Sequence, residues 1–599
     1  VSSATDTYLL LRALVDELAR CGLEHACTSP GSRNAPIALS LANEPRLRCH
    51  SHIDERCAGF FALGLAKATR LPVAVACTSG TAAAELLPAA IEACEARVPL
   101  LLLTADRPPE LREVGAGQAI DQLKLYGCAT KWFFEVDVQG ADEASLRWMR
   151  TLACRAYWTT LEGRPGVVHL NLPLREPLVN DRPLPPEHTA RPNGRPYLRR
   201  SRAVASATSS EGMGRLRELA GAARRGILVA GREERGPSGS SFAQAAARFC
   251  AAAGWPLLAD PMSGARRGAA AIAHYDALLR EKTFLQRVKP DLVLRIGDLP
   301  TSKPLRIWLA QMPEVIQIAL DPEGAWQDPA SVLRESFALD PNSALEELTE
   351  TVFEGSQAQE WLARWRIDDE RAGEAIQTSL RGGLSEPALA SELGVLLPEQ
   401  ATLFVASSMP VREIETFWPV RDDPPRVLCN RGANGIDGTV SAAFGAAAAE
   451  TGPVVLLIGD VALAHDIGGL LAASRLELRL TIVLVDNGGG GIFDFLPVSG
   501  TSLGRQAAGP LQANQEGAAV QDVYTRHVAT PTGLDFSTAA ALYGLAHERA
   551  TDLPSFRSAL ERSLQAACST IVEVRGEREA NVQLHRRIWH AVSEAISAG

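Results

Sequence analysis

At 599 residues, 46% hydrophobic and 22% charged, the chain is too long for one core and is composed like an ordinary globular protein, so about three or four domains are expected. Its net charge of −10 argues against nucleic acid, whose binders present basic faces, yet local arginine clusters still allow small acidic substrates. No apolar run approaches the roughly 18 residues that span a bilayer, and the N-terminus lacks a basic-then-apolar signal pattern, so cytoplasmic residence is expected.

The first 180 residues alternate apolar runs with helical patterns. LEHACTSP, LPVAVACTSG, VPLLLLTADRP and GVVHLNLP read as strands, and APIALSLANE and TAAAELLPAAIEAC as helices. Such alternation implies a parallel sheet covered on both faces. Residues 179–201 are rich in Pro and Arg without periodicity and read as a linker. A second α/β block follows with GILVAG, WPLLAD, DLVLRIG and VIQIAL as strands; a charged helix ending in RGG then leads to a third block. There TLFVASS, RVLCNRG, GPVVLLIGD, LTIVLVDN and TIVEVRG are strands. The expected fold class is α/β with three domains, each a parallel sheet flanked by helices, over 1–182, 200–355 and 385–599. Eleven cysteines without a CxxC pair read as buried reduced thiols rather than a zinc site.

Two strand ends of the third block carry chemistry. Gly459 and Asp460 close one strand and Asn487 closes another, 487 − 460 = 27 positions later. With one crossover between them, both ends meet at the carboxyl edge of the sheet, where ligands bind. A carboxylate and an amide oxygen there suit a hard cation such as Mg2+, and glycines 488–491 let a phosphate approach the backbone. Taken singly, GGGG also reads as a flexible loop and Asp460 as a helix cap. The run fits a dinucleotide fingerprint poorly, since IFDFLP follows it. In the first block, Glu55 stands between LRCHSHI and an Ala/Gly-rich helix, either as a helix-start acid favoured by the dipole or as a functional carboxyl.

Jointly, strand–GD followed by strand–N–GGG resembles the thiamin diphosphate signature of a GDG element and a downstream NN. Val461 replaces the third residue of GDG and Asp486 the first Asn, while Asn487 retains the ligating position. The resemblance implies Asp460, Asn487 and the Gly489 backbone as ligands of Mg2+ (or Mn2+), with Gly459 beside the diphosphate. It also implies Glu55 as the carboxyl that drives the aminopyrimidine to its reactive tautomer. Pyrimidine and diphosphate domains flank a central one in that fold, and their sites meet across a dimer interface, so a homodimer or homotetramer is expected.

The motifs TSPGSRNAPIALSL, SHIDERCAGFFALGLAK, TSGTAAAELLPAAIEA, LTADRPPELREVGAGQAIDQ, SSMPVREIE, NRGANGIDG and GGGIFDFLP occur in that order. Together they resemble the 2-succinyl-5-enolpyruvyl-6-hydroxy-3-cyclohexene-1-carboxylate synthases of menaquinone and phylloquinone biosynthesis. That family decarboxylates 2-oxoglutarate and adds the succinyl carbanion to isochorismate in a conjugate addition. Both substrates are dianions and call for fixed arginines. By the resemblance, Ser408, Arg412 and Arg431 hold the distal carboxylate of 2-oxoglutarate, and Ser32, Arg33, Arg107, Gln118 and Lys303 face isochorismate. Pro304 stands where the family often has a second base, which leaves Arg306 as its open replacement. Ile436 resembles the residue that props the cofactor into its bent form, and Ile492, Phe493 and Leu496 an apolar wall or, equally, ordinary core. The alternatives are another thiamin-dependent 2-oxoacid decarboxylase, an acetohydroxyacid synthase, or a catalytically silent sensor of the same fold.

Overall fold

The computed structural model describes residues 3–137, 140–200, 210–233, 239–350, 356–449, 452–501, 504 and 522–597; Ser201 at the end of the expected linker lies outside them, as do the chain ends. Its strands form three parallel sheets. The first contains β1 (His25–Thr28), β2 (Arg48–Ser51), β3 (Val73–Cys77), β4 (Leu100–Asp106), β5 (Thr130–Glu135) and β6 (Val167–Pro173), in the order β2-β1-β3-β4-β6-β5. In the second, β7 (Gly226–Ala230), β8 (Leu257–Ala259), β9 (Leu292–Ile296), β10 (Ile316–Leu320) and β11 (Leu333–Phe337) run β11-β10-β9-β7-β8. The third holds β12 (Thr402–Val405), β13 (Arg426–Cys429), β14 (Val454–Gly459), β15 (Thr481–Asp486), β16 (Ala546–Ala550) and β17 (Thr570–Arg575), ordered β13-β12-β14-β15-β17-β16. Renumbered from one, this last order repeats that of the first sheet.

Central strands are buried on both faces and read as continuous apolar runs; β3, β4 and β7 are buried throughout. Sequence reading misses three strands, β5, β11 and β16. All three are edge strands of mixed exposure, whose residues TKWFFE, LRESF and AHERA carry no apolar run longer than the three residues 132–134.

The chain divides into two compact units. One comprises Val1–Arg202, Asn430–Thr451 and His465–Leu480; the other comprises Ala203–Cys429, Gly452–Ala464 and Thr481–Gly599. The first unit thus recruits two segments from far along the sequence. Its central pairing sets the Glu55–Thr69 helix against the Thr439–Ala447 helix, and two glycines make the approach possible. A Cβ on Gly64 would lie 1.8 Å from the Ala442 carbonyl oxygen, and one on Gly445 would lie 1.9 Å from that of Phe61. Any side chain at either position would force the helices apart.

Among its described residues the Pro/Arg-rich segment has no strand and one short turn at Pro192–Gly194, in keeping with its aperiodic sequence, but it is not a free tether. Arg150, 1% exposed, pairs with Asp16 at 2.6 Å, Glu17 at 2.8 Å and Glu187 of the segment. The Tyr197 amide also donates to Glu17. A buried guanidinium requires carboxylate partners, and Glu187 brings the segment with it.

In the second unit one apolar cluster runs from Val229 and Val293 through Trp308, Trp361 and Trp365 to Leu403 and Val455, so its two sheets share a core. Seven of the eleven cysteines are buried, and all eleven are free thiols. Among the described residues, no helix is long and apolar enough to cross a membrane.

Candidate active site

β14 and β15 are adjacent and parallel, with Gly459 opposite Val485, so Asp460 and Asn487 leave the sheet at neighbouring strand ends. The order of the sheet reverses between β12 and β14, and Ser408 and Asp460 follow those two strands at the switch point. Asp460 is 1% exposed and begins the Asp460–His465 helix. Burial pushes its carboxyl up to about 6, aided by the Asp486 charge and opposed by hydrogen bonds from the backbone of Val461 and Gly489. Gly489 has φ +130, and a Cβ there would lie 2.5 Å from the Ala529 carbonyl oxygen, so both backbone and space demand glycine.

Two buried oxygens, Asp460 Oδ2 and Asn487 Oδ1, have no hydrogen-bond partner. Orphaned buried acceptors cost free energy unless a ligand meets them. Both are hard oxygen donors at one strand edge, the donor set that Mg2+ takes. The residues therefore fit a divalent cation. Beside Asn487 and Gly488 opens a cleft of about 820 Å3, lined also by Asp494, Tyr524 and Arg578. Ile492 and Phe493 are half-buried, whereas Leu496 is 41% exposed.

Ser408 has φ +75, a left-handed conformation uncommon outside glycine, and it immediately precedes the Met409–Phe417 helix. The Arg412 guanidinium donates to the Ser408 carbonyl. Lys303 is exposed at the start of the Lys303–Ala310 helix and lines a separate cavity of about 310 Å3. Arg306 is not part of that cavity wall; Arg280 is the second cation there. That cavity shares no lining residue with the cleft at Asn487.

In the first unit, Glu55 is the first residue of its helix, whose N-cap Asp54 accepts from the Cys57 amide. Glu55 is half-buried, and burial raises its carboxyl above the usual range, with the Asp54 and Glu85 charges adding. At the carboxyl ends of β1, β3 and β4 the structure gathers Arg33, Arg107 and Gln118. Arg107 donates to the Ser79 hydroxyl, Gln118 Nε2 lies 3.5 Å from the Ser79 carbonyl, and burial plus the Arg107 charge lower the Arg33 pKa. Arg33 also reaches the Leu174 carbonyl and, at 3.2 Å, Glu176. Ser32 is exposed beside it. Arg431 and Ile436 lie in the half-buried loop before the Thr439–Ala447 helix, where Glu92 accepts from the amides of Gly432 at 2.8 Å and Ala433 at 2.6 Å.

Three neighbours of the candidate residues escape sequence reading: Ser79, Glu92 and Glu386, which takes a hydrogen bond from Asn487. Only Ser79 left a signal, as a hydroxyl at a strand end in TSGT.

Three family models match along the chain. They are the thiamine pyrophosphate enzyme N-terminal TPP binding domain over residues 10–125, the middle domain over 191–405, and the C-terminal TPP binding domain over 411–574. The 2-succinyl-5-enolpyruvyl-6-hydroxy-3-cyclohexene-1-carboxylate synthase of Geobacillus kaustophilus (strain HTA426) is 43% identical over 592 residues, 98% of each chain. The chain belongs to this synthase family. Synthases of the same name from Chloroflexus aurantiacus, 41% identical over 98% of this chain and 96% of that one, and Listeria monocytogenes (strain ATCC BAA-679 / EGD-e), 37% identical over 98% of each, agree. The α/β class with three parallel sheets and the thiamin diphosphate-binding domains expected from the sequence are thus borne out. Nothing among these synthase relatives favours an acetohydroxyacid synthase or a simple decarboxylase.

Proposed function

We propose that the chain catalyses thiamin diphosphate-dependent decarboxylation of 2-oxoglutarate and conjugate addition of the succinyl unit to isochorismate. The products are 2-succinyl-5-enolpyruvyl-6-hydroxy-3-cyclohexene-1-carboxylate and CO2. The pair of unpartnered buried oxygens on Asp460 and Asn487 carries the cofactor reading, because one divalent cation would satisfy both. The synthase relatives, matched over nearly the full chain, support the product.

When bound, thiamin diphosphate supplies the carbon nucleophile and the electron sink for loss of CO2. Asp460, Asn487 and the Gly489 carbonyl hold Mg2+ or Mn2+, with Gly459 leaving room for the diphosphate. Glu55, its carboxyl raised by burial, would hydrogen-bond a pyrimidine nitrogen. Ser408, Arg412 and Arg431 take the distal carboxylate of 2-oxoglutarate; Ser32, Arg33, Arg107, Gln118 and Lys303 orient isochorismate. Ile436, Ile492 and Phe493 exclude water from the reacting carbons.

The pyrimidine, central and diphosphate domains occupy 1–182, 200–355 and 385–599. The enzyme self-associates as a homodimer or homotetramer with active sites at the dimer interface, and it works in the cytoplasm. The test is direct: incubation with thiamin diphosphate, Mg2+, 2-oxoglutarate and isochorismate consumes isochorismate, followed by absorbance. Consumption no faster than in the no-enzyme control, or turnover of pyruvate instead, rejects the assignment.

A further inference from the structure

Asn487 presents an amide, whose two ends have opposite chemistry. Its Oδ1 can ligate a cation and its NH2 cannot, and a half-turn about the last side-chain bond exchanges them. In the structure the exchange is blocked on one side. Asn487 Nδ2 donates to Glu386 Oε1 at 2.7 Å, which turns the unpartnered Oδ1 the other way. Glu386, 9% exposed, is the first residue of the Glu386–Leu396 helix, capped by Ser385 through the Ala388 amide. It accepts this hydrogen bond whether its carboxyl is ionised or neutral.

The carboxyl is itself set among buried polar groups. Its electrostatic neighbours include Glu413 and His585. Glu413 is bonded by His585 Nε2 at 2.9 Å and Asn581 Nδ2 at 3.2 Å. Glu413 directly follows Arg412, on the helix that begins beyond β12.

We propose that Glu386 is a positioning residue for metal binding: it locks the Asn487 amide with oxygen, rather than NH2, toward the cation. The inference rests on the metal site proposed above. Partners that orient a metal ligand typically change affinity by about 10–100-fold when removed.

The test is Mn2+ binding followed by electron paramagnetic resonance, with thiamin diphosphate present, in the wild type, Glu386→Ala and Glu386→Gln. Alanine removes the acceptor and should weaken Mn2+ binding by about 10–100-fold. Glutamine loses the charge but keeps an oxygen acceptor, and should stay within about threefold of the wild type, well inside that range. Equal affinity for alanine and wild type overturns the proposal. So does a glutamine variant as weak as alanine, which would assign the effect to charge. Should the alanine protein not fold, Glu386→Met, close to glutamate in size and likewise without an oxygen acceptor, takes its place and is held to the same outcomes. A wild type that binds no Mn2+ overturns the metal site and this inference with it, whereas wild-type binding unaffected by either substitution overturns this inference alone.

Discussion

Glu92→Gln probes how the Arg431 loop is held. Glu92, 3% exposed on the Leu87–Ala96 helix, receives the Gly432 and Ala433 amides at 2.8 and 2.6 Å, and Lys67 Nζ lies 3.9 Å from the same carboxylate. Glutamine has nearly the same shape but one oxygen in place of two, so one amide then faces an NH2, and the charge opposite Lys67 is gone. A charge-assisted hydrogen bond contributes about 1.5–3 kcal/mol, and breaking a buried ion pair costs about 3–5 kcal/mol. Because both losses fall on one carboxylate they overlap, and about 3 kcal/mol of local destabilisation is expected. In a chain of several domains a single unfolding midpoint is not well defined, so the local measurement is hydrogen exchange at Gly432 and Ala433. Their exchange should accelerate about 10²-fold, since 1.4 kcal/mol is a factor of ten. The KM for 2-oxoglutarate should rise with that for isochorismate little changed. Unaltered amide protection would refute the clamp, and faster exchange without a change in the 2-oxoglutarate KM would remove Arg431 from that substrate.

Other outcomes can be checked in parallel. Glu55→Gln should nearly abolish turnover while circular dichroism stays native; near-normal turnover would remove Glu55 from its role. Exhaustive chelation should stop turnover and Mg2+ or Mn2+ should restore it, so full activity in the chelated protein would reject the Asp460–Asn487 ligand set. Burial holds His169 neutral, its pKa down to about 3, with its ring 2.7 Å from the Thr104 hydroxyl. The unfolded imidazole titrates near 6.5, so between those values the unfolded chain binds a proton that the native chain refuses, and stability falls as pH falls. His169→Gln should flatten the loss of stability below pH 6.5 by up to about 1.4 kcal/mol per pH unit, read from hydrogen exchange at the β6 amides after correction for the intrinsic pH dependence of exchange. An identical slope in variant and wild type would disprove this origin.

Much of the fold was legible because fully buried parallel strands announce themselves as apolar runs: β4, β9, β14 and β15 stand where those runs predict. Edge strands β5, β11 and β16 were not, since half-exposed positions mix polar and apolar residues. The recruitment of Asn430–Thr451 and His465–Leu480 into the first unit was equally silent, because it depends on glycine contacts such as Gly64 with Ala442 that no local period encodes. At the site, Asp460 and Asn487 could be paired from spacing alone, since adjacent parallel strands align their ends. Glu386 could not: it lies 101 positions from Asn487 and reads locally as nothing more than the start of a helix.

The shared strand order of the first and third sheets makes their positions comparable one by one. Asn487 leaves β15 as Arg107 leaves β4, and Asp460 leaves β14 as Thr78 leaves β3. At matching places, one sheet offers a guanidinium bound covalently to the chain, while the other offers oxygens that, as proposed above, would gather a positive ion from solution. Both arrangements would then draw anions to the same edge of the same architecture, but only one could be stripped of its charge. On the proposed reading, the diphosphate end answers to the free metal level of its surroundings, and the arginine end carries its charge at every metal concentration.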